Sequence, residues 1–409
     1  MSTLNQRRPA ARLAPAAALA FLLGGHLVGG DDSNNAALLE KAKQIHTRIG
    51  AFDSHVDIPL NYGEPGLDTQ VDLPKAERGL LKGASFAVFV PQGARNDEAY
   101  RKARSDADKK YRLIRDIAEK NPAHAALAYS PADVRRIAAE GKFAIVLSLL
   151  NAYPLVRPRV PNIPLNELGE RDLPAFQSDL DQINEWYNRG VRILGFVHAG
   201  HNDWADSSRP NVKLGDAAEE HCGLSDLGKQ AVRRLNDLGV LIDVSQLSTH
   251  ALEQVISVTR APVAATHSAV KGLVDTPRNL SDRELELIKK NGGVVQIVAF
   301  SKYLRPQSTE QIAALQTVNA APKATLAQFV DAIDYAVKRI GVDHVGISSD
   351  FNHGGGVIGW ENEGESVNVT AELLRHGYGE SDIAKLWGGN FLRVWQAAQD
   401  GATHLESRR

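Results

Sequence analysis

The feature that most constrains the fold is an alternation of short apolar segments with amphipathic helical patterns along residues 49–349. The apolar segments are rich in β-branched residues and lack polar alternation, which is typical of parallel strands buried on both faces. The predicted strands are Ile49–Asp57, Ala84–Val90, Phe143–Leu149, Val191–Val197, Val240–Val244, Pro262–Thr266, Gly293–Ala299 and Val345–Ser349. A 3.6-residue period predicts helices at Glu98–Lys120, Leu180–Asn188, Ser225–Leu238, Thr249–Arg260, Ser281–Lys290 and Leu326–Ile340. Eight is the number of strands that closes a (β/α)8 barrel.

The alternative architecture is an open doubly wound sheet, which would carry a glycine-rich phosphate loop after its first strand. No such loop follows Asp57, and the glycines at 354–356 come after the last strand. Two long irregular stretches, residues 59–80 and 151–176, follow the first and third strands. Loops of this length in a compact domain are usually functional. We therefore predict an α/β fold, a (β/α)8 TIM barrel with long insertions after strands one and three.

The N-terminus predicts an export signal. Arg7, Arg8 and Arg12 precede an apolar run over residues 13–23, which small residues follow. This is the layout of a secretory signal peptide, and the apolar run is too short to span a bilayer comfortably. The alternative is a disordered alanine-rich tail. We predict that residues 1–30 lie outside the fold, that residues 38–400 form a single barrel domain, and that the mature chain is exported, periplasmic or extracellular, without a transmembrane segment.

Composition excludes other classes of function. The 409 residues carry a formal net charge of −2, and no basic block or basic helix stripe is present, so no nucleic-acid partner is expected. Cys222 is the only cysteine, which rules out an internal disulfide framework.

Polar residues are concentrated at the ends of the predicted strands. His55 and Asp57 are two residues apart on the first strand, so their side chains point to the same side. Alone, such a pair is more often a satisfied polar pair than a metal site. The ends of four further strands, however, carry His198, His201, Asp203, Asp206, Asp243, Ser245, Gln246, His267, Ser268 and Asp350. Catalytic residues of (β/α)8 barrels come from this end of several strands.

These residue types indicate metal-assisted hydrolysis. Neutral imidazoles and carboxylates are ligands of Zn²⁺, and bound Zn²⁺ lowers the pKa of its water to about 7. Asp350 would take the proton of that water and deliver it to a leaving amine. Arg278, in the loop after the sixth predicted strand, would suit a substrate carboxylate.

The chain resembles the membrane (renal) dipeptidases, zinc peptidases of the amidohydrolase superfamily. The matching segments run from about residue 38 to 400 and include "FDSHVDIPL", "GVRILGFVHAGHNDWADSS", "APVAATHSAVKGLVDTPRNLSD", "VGISSDF" and "WGGNFLRVW". The resemblance implies a (β/α)8 barrel with a two-zinc centre and dipeptide substrates, some with D-residues at the C-terminal side. A homodimer is implied by the resemblance alone.

The resemblance also implies a role for each matching residue. His55 and Asp57 correspond to ligands of one zinc, and His267 to a ligand of the other. Asp350 corresponds to the catalytic acid/base. His198 is similar to the histidine that polarises the scissile carbonyl, and Arg278 to the arginine that holds the terminal carboxylate of the substrate.

Two positions depart from the family pattern. Leu150 stands where the family has a glutamate that bridges the two metals, and Gln246 stands where the family has a histidine. Leucine cannot bind a metal, and the glutamine amide is a weak ligand. Without the bridging carboxylate, repulsion disfavours a second ion. We therefore expect one zinc ion, or a weakly bound second one in addition. The ligands of the first would be His55 and Asp57 with either His267 or a replacement, and Gln246 would be a weak ligand at most.

A third, milder difference concerns the loop after the last strand. Asn352 and His353 follow "SSDF", and we interpret His353 as an exposed loop residue, with a substitute metal ligand as the alternative.

Three functions remain open from the sequence. The first is an exported metallodipeptidase with a partly degenerate site. The second is a non-catalytic dipeptide-binding protein on the same scaffold, which Leu150 and Gln246 favour. The third is a mononuclear hydrolase of other amides or lactones.

Overall fold

Eight parallel strands form a (β/α)8 barrel, as predicted. The computed structural model describes residues 29–156, 173–305 and 323–406. The strands are β1 (Phe52–Val56), β2 (Gly83–Phe89), β3 (Ala125–Ala128), β4 (Phe143–Leu150), β5 (Val191–Gly195), β6 (Leu241–Asp243), β7 (Ala264–Ser268), β8 (Val294–Val298) and β9 (Val345–Ser348). They pair in the order β1-β2-β4-β5-β6-β7-β8-β9, and β3 pairs with β4 outside this path.

The barrel closes between its first and last strands. The backbone N–H of Asp57 donates to the carbonyl of Phe351 at 3.0 Å, and the N–H of Asp350 donates to the carbonyl of His55 at 3.1 Å. Because all the strands are parallel, their carboxyl ends meet at one mouth of the barrel. The loops that follow β1, β5, β6, β7 and β9 therefore share that mouth.

Helices surround the barrel. Their bounds are Gly29–Ile49, Leu73–Arg78, Asp97–Glu119, Pro131–Ala139, Leu173–Asn188, Asp226–Leu238, Thr249–Val258, Asp282–Lys290, Ser301–Leu304, Leu326–Ile340, Ser366–Arg375, Glu380–Ala384 and Asn390–Glu406. Each of the six predicted helices is present. The helix Asp282–Lys290 begins with the capping box that its sequence predicts, in which Ser281 and Glu284 satisfy each other's backbone N–H groups.

The core lies inside the barrel and between the barrel and its helices. The C-terminal segment contributes two large side chains, because Trp387 and Trp395 are both fully buried. Gly388 has a φ of 106°, and a Cβ atom there would lie 2.7 Å from Cβ of Phe52 in β1. The chain approaches the first strand this closely only because residue 388 is glycine.

The structure differs from the predicted elements in three places. The short strand β3 was not predicted, because its sequence "AALA" is alanine-rich and alanine is depleted in strands. The first insertion, residues 59–80, contains the helix Leu73–Arg78. In the second insertion, residues 157–172 lie outside the described residues, and a helix already begins at Leu173.

Residues 38–409 group into one compact unit, and residues 1–37 into another. Most of the predicted signal peptide, residues 1–28, lies outside the described residues. In the part of the chain that the structure describes, no helix is both long and apolar enough to cross a membrane.

Candidate active site

Four side chains from three strand ends meet at the barrel mouth. The imidazole rings of His55 (β1) and His267 (β7) stack, with centroids 3.9 Å apart and planes 17° apart. The carboxylate oxygen Oδ1 of Asp350, after β9, lies 3.8 Å from Nε2 of His55. Asp57 follows β1 directly, so the sequence-predicted cluster of His55, Asp57, His267 and Asp350 is at one end of the barrel.

Two residues of the mouth have left-handed backbone conformations. The φ angle is 70° at Gln246 and 55° at Asp350, and neither residue is glycine. Such conformations are uncommon for residues with a Cβ atom and are found most often at functional sites. The residues that follow β6 and β9 are thus held in strained positions at the mouth.

Asp350 is buried without a partner for one of its oxygens. Its Oδ1 forms no hydrogen bond with any residue that the structure describes. Burial raises the pKa of the Asp350 carboxyl well above its ordinary value; the charge of Arg278 opposes this shift, and that of Asp57 adds to it. Burial therefore favours the protonated form of this side chain over the carboxylate.

Burial has the opposite effect on the histidines. It lowers the pKa of His55 to about 3 and the pKa values of His198 and His267 well below the ordinary value. These imidazoles are therefore neutral, and each has one nitrogen that donates and one that accepts. The ring of His198 lies against Phe89, with centroids 4.5 Å apart.

A directional chain of hydrogen bonds fixes His267. Arg209 donates to Oε1 of Gln246, and because a guanidinium only donates, the amide oxygen of Gln246 must face Arg209. The amide nitrogen then donates to Nε2 of His267 at 3.0 Å. The other ring nitrogen, Nδ1, lies 2.8 Å from Oγ1 of Thr266, whose hydroxyl donates to Asp243 at 2.7 Å. Both ring nitrogens of His267 therefore have protein partners.

Asp57 is paired with a buried lysine. Nζ of Lys110, from the helix Asp97–Glu119, lies 2.7 Å from Oδ1 of Asp57. The two side chains are 7% and 4% exposed, so the ion pair is formed out of water. The second oxygen, Oδ2, lies 3.5 Å from Nδ1 of His353. His353 is a loop residue whose side chain is 33% exposed, and it lies at the mouth beside Asp57.

Leu150 ends β4 and supplies only hydrocarbon. It is buried and packs with Ala87 and Phe89 of β2. Its Cδ1 would lie 3.1 Å from a Cβ atom placed on Gly195, so the space around it is filled.

The donor set does not fit a two-zinc centre. Oδ1 of Asp57 is held by Lys110, Nε2 of His267 accepts from Gln246, and Leu150 carries no donor atom. Among the described residues, the one group of three metal-ligand side chains with all ligand atoms within 4.8 Å of one another is Asp331, Asp334 and His376, which the barrel mouth does not include.

Two arginines, Arg278 and Arg209, also lie at the mouth. Arg278 is buried and donates to the carbonyl of His267 and to Oγ of Ser268. Its guanidinium carbon lies 5.5 Å from the ring centroid of Tyr303, whose hydroxyl accepts from Arg209 at 3.4 Å. Nε of Arg278 and Nε of Arg209 form no hydrogen bond with any described residue. Burial lowers the pKa of Arg278 to about 10, and the side chain stays charged at neutral pH.

The other polar residues of the strand ends hold the backbone of the mouth. His201 and Asp206 accept from backbone N–H groups of the loop after β5, and Asp203 accepts from the hydroxyl of Tyr100. Asp243 and Ser245 accept from the backbone of β7.

Sequence reasoning missed Lys110 and Arg209. A signal for Lys110 was present, since it falls on the same helical stripe as the buried Ala103, Ala107 and Ile114. A lysine on an apolar stripe needs a buried partner. For Arg209 the sequence offers no comparable signal.

The sequence model of the family described as "Membrane dipeptidase (Peptidase family M19)" matches residues 39–160 and 167–409. The dipeptidase aclJ of Aspergillus oryzae is 29% identical over 367 residues, which are 89% of this chain and 76% of that protein.

Two solved structures are similar to the chain. The probable dipeptidase PvdM from Pseudomonas aeruginosa is 43% identical with a TM-score of 0.81, over 90% of this chain and 100% of that one. A metallopeptidase from Rhodobacter sphaeroides, solved with a phosphinate mimic of the dipeptide L-Ala-D-Ala, is 20% identical with a TM-score of 0.69. It covers 85% of this chain and 99% of that one and supports the fold alone.

Proposed function

The chain belongs to the membrane dipeptidase family, peptidase family M19, and from this premise we propose that it is a hydrolase of the dipeptidase class. The observation that carries the proposal is the meeting of His55, His198, Arg278 and Asp350 at one barrel mouth. The substrate would be a dipeptide, with its scissile bond between His198 and Asp350. Relatives named as dipeptidases support this substrate class.

Arg278 is proposed to bind the terminal carboxylate of the peptide. Two of its nitrogens are already engaged by His267 and Ser268, which fixes the plane of the guanidinium. Nε keeps a donor for the substrate. A carboxylate accepting from a buried guanidinium forms a short, charge-assisted hydrogen bond.

Asp350 is proposed to take a proton from the attacking water and to deliver that proton to the leaving amine when the C–N bond breaks. Its unpartnered Oδ1 and Nε2 of His55 are 3.8 Å apart, a separation that one water molecule or one substrate atom can bridge. Because burial raises the pKa of its carboxyl, Asp350 is suited to hold the proton between these two steps.

His198 is proposed to stabilise the developing oxyanion. As a neutral imidazole it offers one N–H, and its half-buried position strengthens a hydrogen bond to a charged oxygen. None of these steps passes through a metal ion, because the side chains at the mouth do not fit the zinc centre that the family resemblance implies.

Residues 38–400 are proposed as a single domain, exported after removal of residues 1–30 and possessing the homodimeric state that the resemblance implies. The three N-terminal arginines and the apolar run that follows support export. N-terminal sequencing of the secreted or periplasmic protein tests it: a mature chain that begins near residue 30 is expected, and a chain retaining residues 1–30 would refute it.

The activity is tested with a panel of small dipeptides, including members with a C-terminal D-residue, and with the same dipeptides amidated at the C-terminus. Turnover of the free acids is expected, with kcat/KM reduced about 100-fold or more for the amides, because they lack the carboxylate for Arg278. The variant Asp350→Asn should lose kcat while still binding dipeptide. An enzyme that cleaves acids and amides equally well would refute the assignment of Arg278.

A second candidate is a non-catalytic dipeptide-binding protein. The specific observation in its favour is the engagement of Asp57 and His267 by Lys110 and Gln246, since these are the residues that the family uses for its metals. Saturable binding of dipeptides by calorimetry, without turnover of any panel member at added zinc, would favour this candidate over hydrolysis.

A further inference from the structure

Lys110 is a buried cation placed at a carboxylate that the family resemblance assigns to a metal. Its Nζ contacts Oδ1 of Asp57 at 2.7 Å and lies 5.3 Å from the ring centroid of Phe89. The neighbouring positions on the same helix face are Ala103, Ala107 and Ile114, all apolar and buried. A lysine in such surroundings is stable only when its charge is paired.

One oxygen of the Asp57 carboxylate is already engaged by two protein donors. Oδ1 accepts from Lys110 and from the backbone N–H of Ile58 at 2.6 Å, and Oδ2 faces His353. A zinc ion bound to Oδ1 would lie about 2.1 Å from that atom. It would then be within about 5 Å of Nζ of Lys110, and the two cations would repel each other in a site closed to water.

The second half of the family's metal centre is represented here by His267, whose metal-binding nitrogen is engaged by a hydrogen bond instead of an ion pair. The lone pair of His267 that would bind a metal accepts the amide N–H of Gln246, and the orientation of that amide is set by Arg209. Rotating Gln246 away would remove the acceptor that its Oε1 offers to Nη2 of Arg209. Leu150, at the end of β4, adds no charge that could bring two dications together.

From these contacts we propose that the ammonium group of Lys110 substitutes for a divalent cation beside Asp57, and that the barrel mouth is a metal-independent site. The proposal deepens the proposed function, on which it rests for the location of the site. Positive charge at the mouth is then supplied by Lys110, Arg209 and Arg278 rather than by metal ions. The pocket would take peptides through their carboxylate and carbonyl oxygens.

Zinc binding tests the substitution directly and independently of turnover. Equilibrium dialysis against 10 μM free Zn²⁺, with metal measured by mass spectrometry, is carried out on the full chain. All samples carry His376→Gln, which removes a ligand of the Asp331, Asp334 and His376 group on the outside of the barrel. Less than 0.1 zinc per chain is expected, and one or more zinc ions per chain would overturn the proposal.

Restoring variants assign the effect to Lys110. The double variant Leu150→Glu/Gln246→His returns the family's ligands, and the triple variant adds Lys110→Met. The triple variant should bind zinc at least 100-fold more tightly than the double variant, because only the triple variant has lost the competing ammonium. Equal affinities would overturn the assignment.

A matched control keeps the test informative if Lys110→Met fails to fold. Lys110→Arg in the double background preserves the cation and should bind zinc as weakly as the double variant, and Lys110→Gln should bind as the triple variant does. Tight zinc binding by the arginine variant would overturn the proposal.

Because dialysis does not depend on peptide cleavage, wild-type protein that binds no zinc and cleaves no dipeptide would refute the proposed hydrolase alone. Zinc-dependent cleavage would refute the metal-independent site alone.

Discussion

The pairing of Lys110 with Asp57 predicts a large and specific loss of stability when either partner is removed. At 2.7 Å, and with an effective dielectric constant of 20, the Coulomb attraction between the two charges is about 6 kcal/mol. Much of this attraction offsets the desolvation of both groups. Removal of one partner leaves the other charge buried and uncompensated, which costs about 3–5 kcal/mol.

A double-mutant cycle measures this coupling. Lys110→Met and Asp57→Asn should each lower the free energy of unfolding by about 3–5 kcal/mol. The combined variant should lose far less than the sum, because neither buried charge then remains, and the coupling energy should be about 3 kcal/mol or more. Urea unfolding followed by the fluorescence of the buried tryptophans provides the free energies.

A control on the same helix separates burial from charge. Lys102 pairs with Asp106 at 2.5 Å, but the lysine side chain is 71% exposed, so Lys102→Met should change stability by no more than about 0.5 kcal/mol. A cost for Lys110→Met as small as that for Lys102→Met would refute the buried ion pair. A coupling energy near zero would do the same.

Three further predictions concern the hydrogen bonds and buried groups around the barrel. His46 is buried, and burial followed by the charge of Lys82 lowers its pKa to about 3, below the value of about 6.5 in an unfolded chain. The stability that the neutral His46 contributes is therefore complete above pH 6.5 and falls by about 2 kcal/mol by pH 5. The variant His46→Phe should reduce the number of protons taken up on unfolding by about one between these pH values, which flattens the plot of the free energy of urea unfolding against pH. An unchanged slope of that plot would contradict this prediction. Thr266→Val leaves Nδ1 of His267 without an acceptor and should cost about 1–3 kcal/mol in the same assay. A neutral result would contradict the hydrogen bond from Nδ1 to Thr266. Ser281→Ala breaks the capping box and should cost about 1 kcal/mol, with no change in dipeptide binding.

The strands were predictable because their burial on both faces leaves a continuous apolar, β-branched signature. Each predicted strand overlaps a barrel strand, and the predicted helix Leu326–Ile340 has the observed bounds. The strand β3 has four residues, three of them alanine, and it exists because β4 offers it an edge to pair with. That edge is a tertiary feature, and local propensity does not report it.

The site was predictable as a set of strand ends, but its bonding was not. His55, Asp57, His267 and Asp350 meet at one mouth because parallel strands share a carboxyl end. What each side chain contacts depends on residues far away in sequence: Gln246 faces Arg209 from 37 residues along the chain, and Asp57 faces Lys110 from 53. The sequence therefore indicates which groups converge, while the partners that engage them follow only from the packing.

Lys110, Gln246 and Leu150 have a common effect on the charge balance of the barrel mouth. In a site built for two dications, the acidic ligands repel one another until metal arrives. In this chain, Asp57 is compensated by Lys110, and His267 is held by neutral and cationic donors that need no metal. Leu150 removes the carboxylate that would otherwise have remained without a partner. Arg278, which binds the substrate in the proposed function, is held by the carbonyl of His267 and by Ser268 and needs no metal for its position. Leu150, Gln246 and Lys110 are thus explained by one condition: the two side chains that the resemblance assigns to metals, Asp57 and His267, are engaged by protein groups instead.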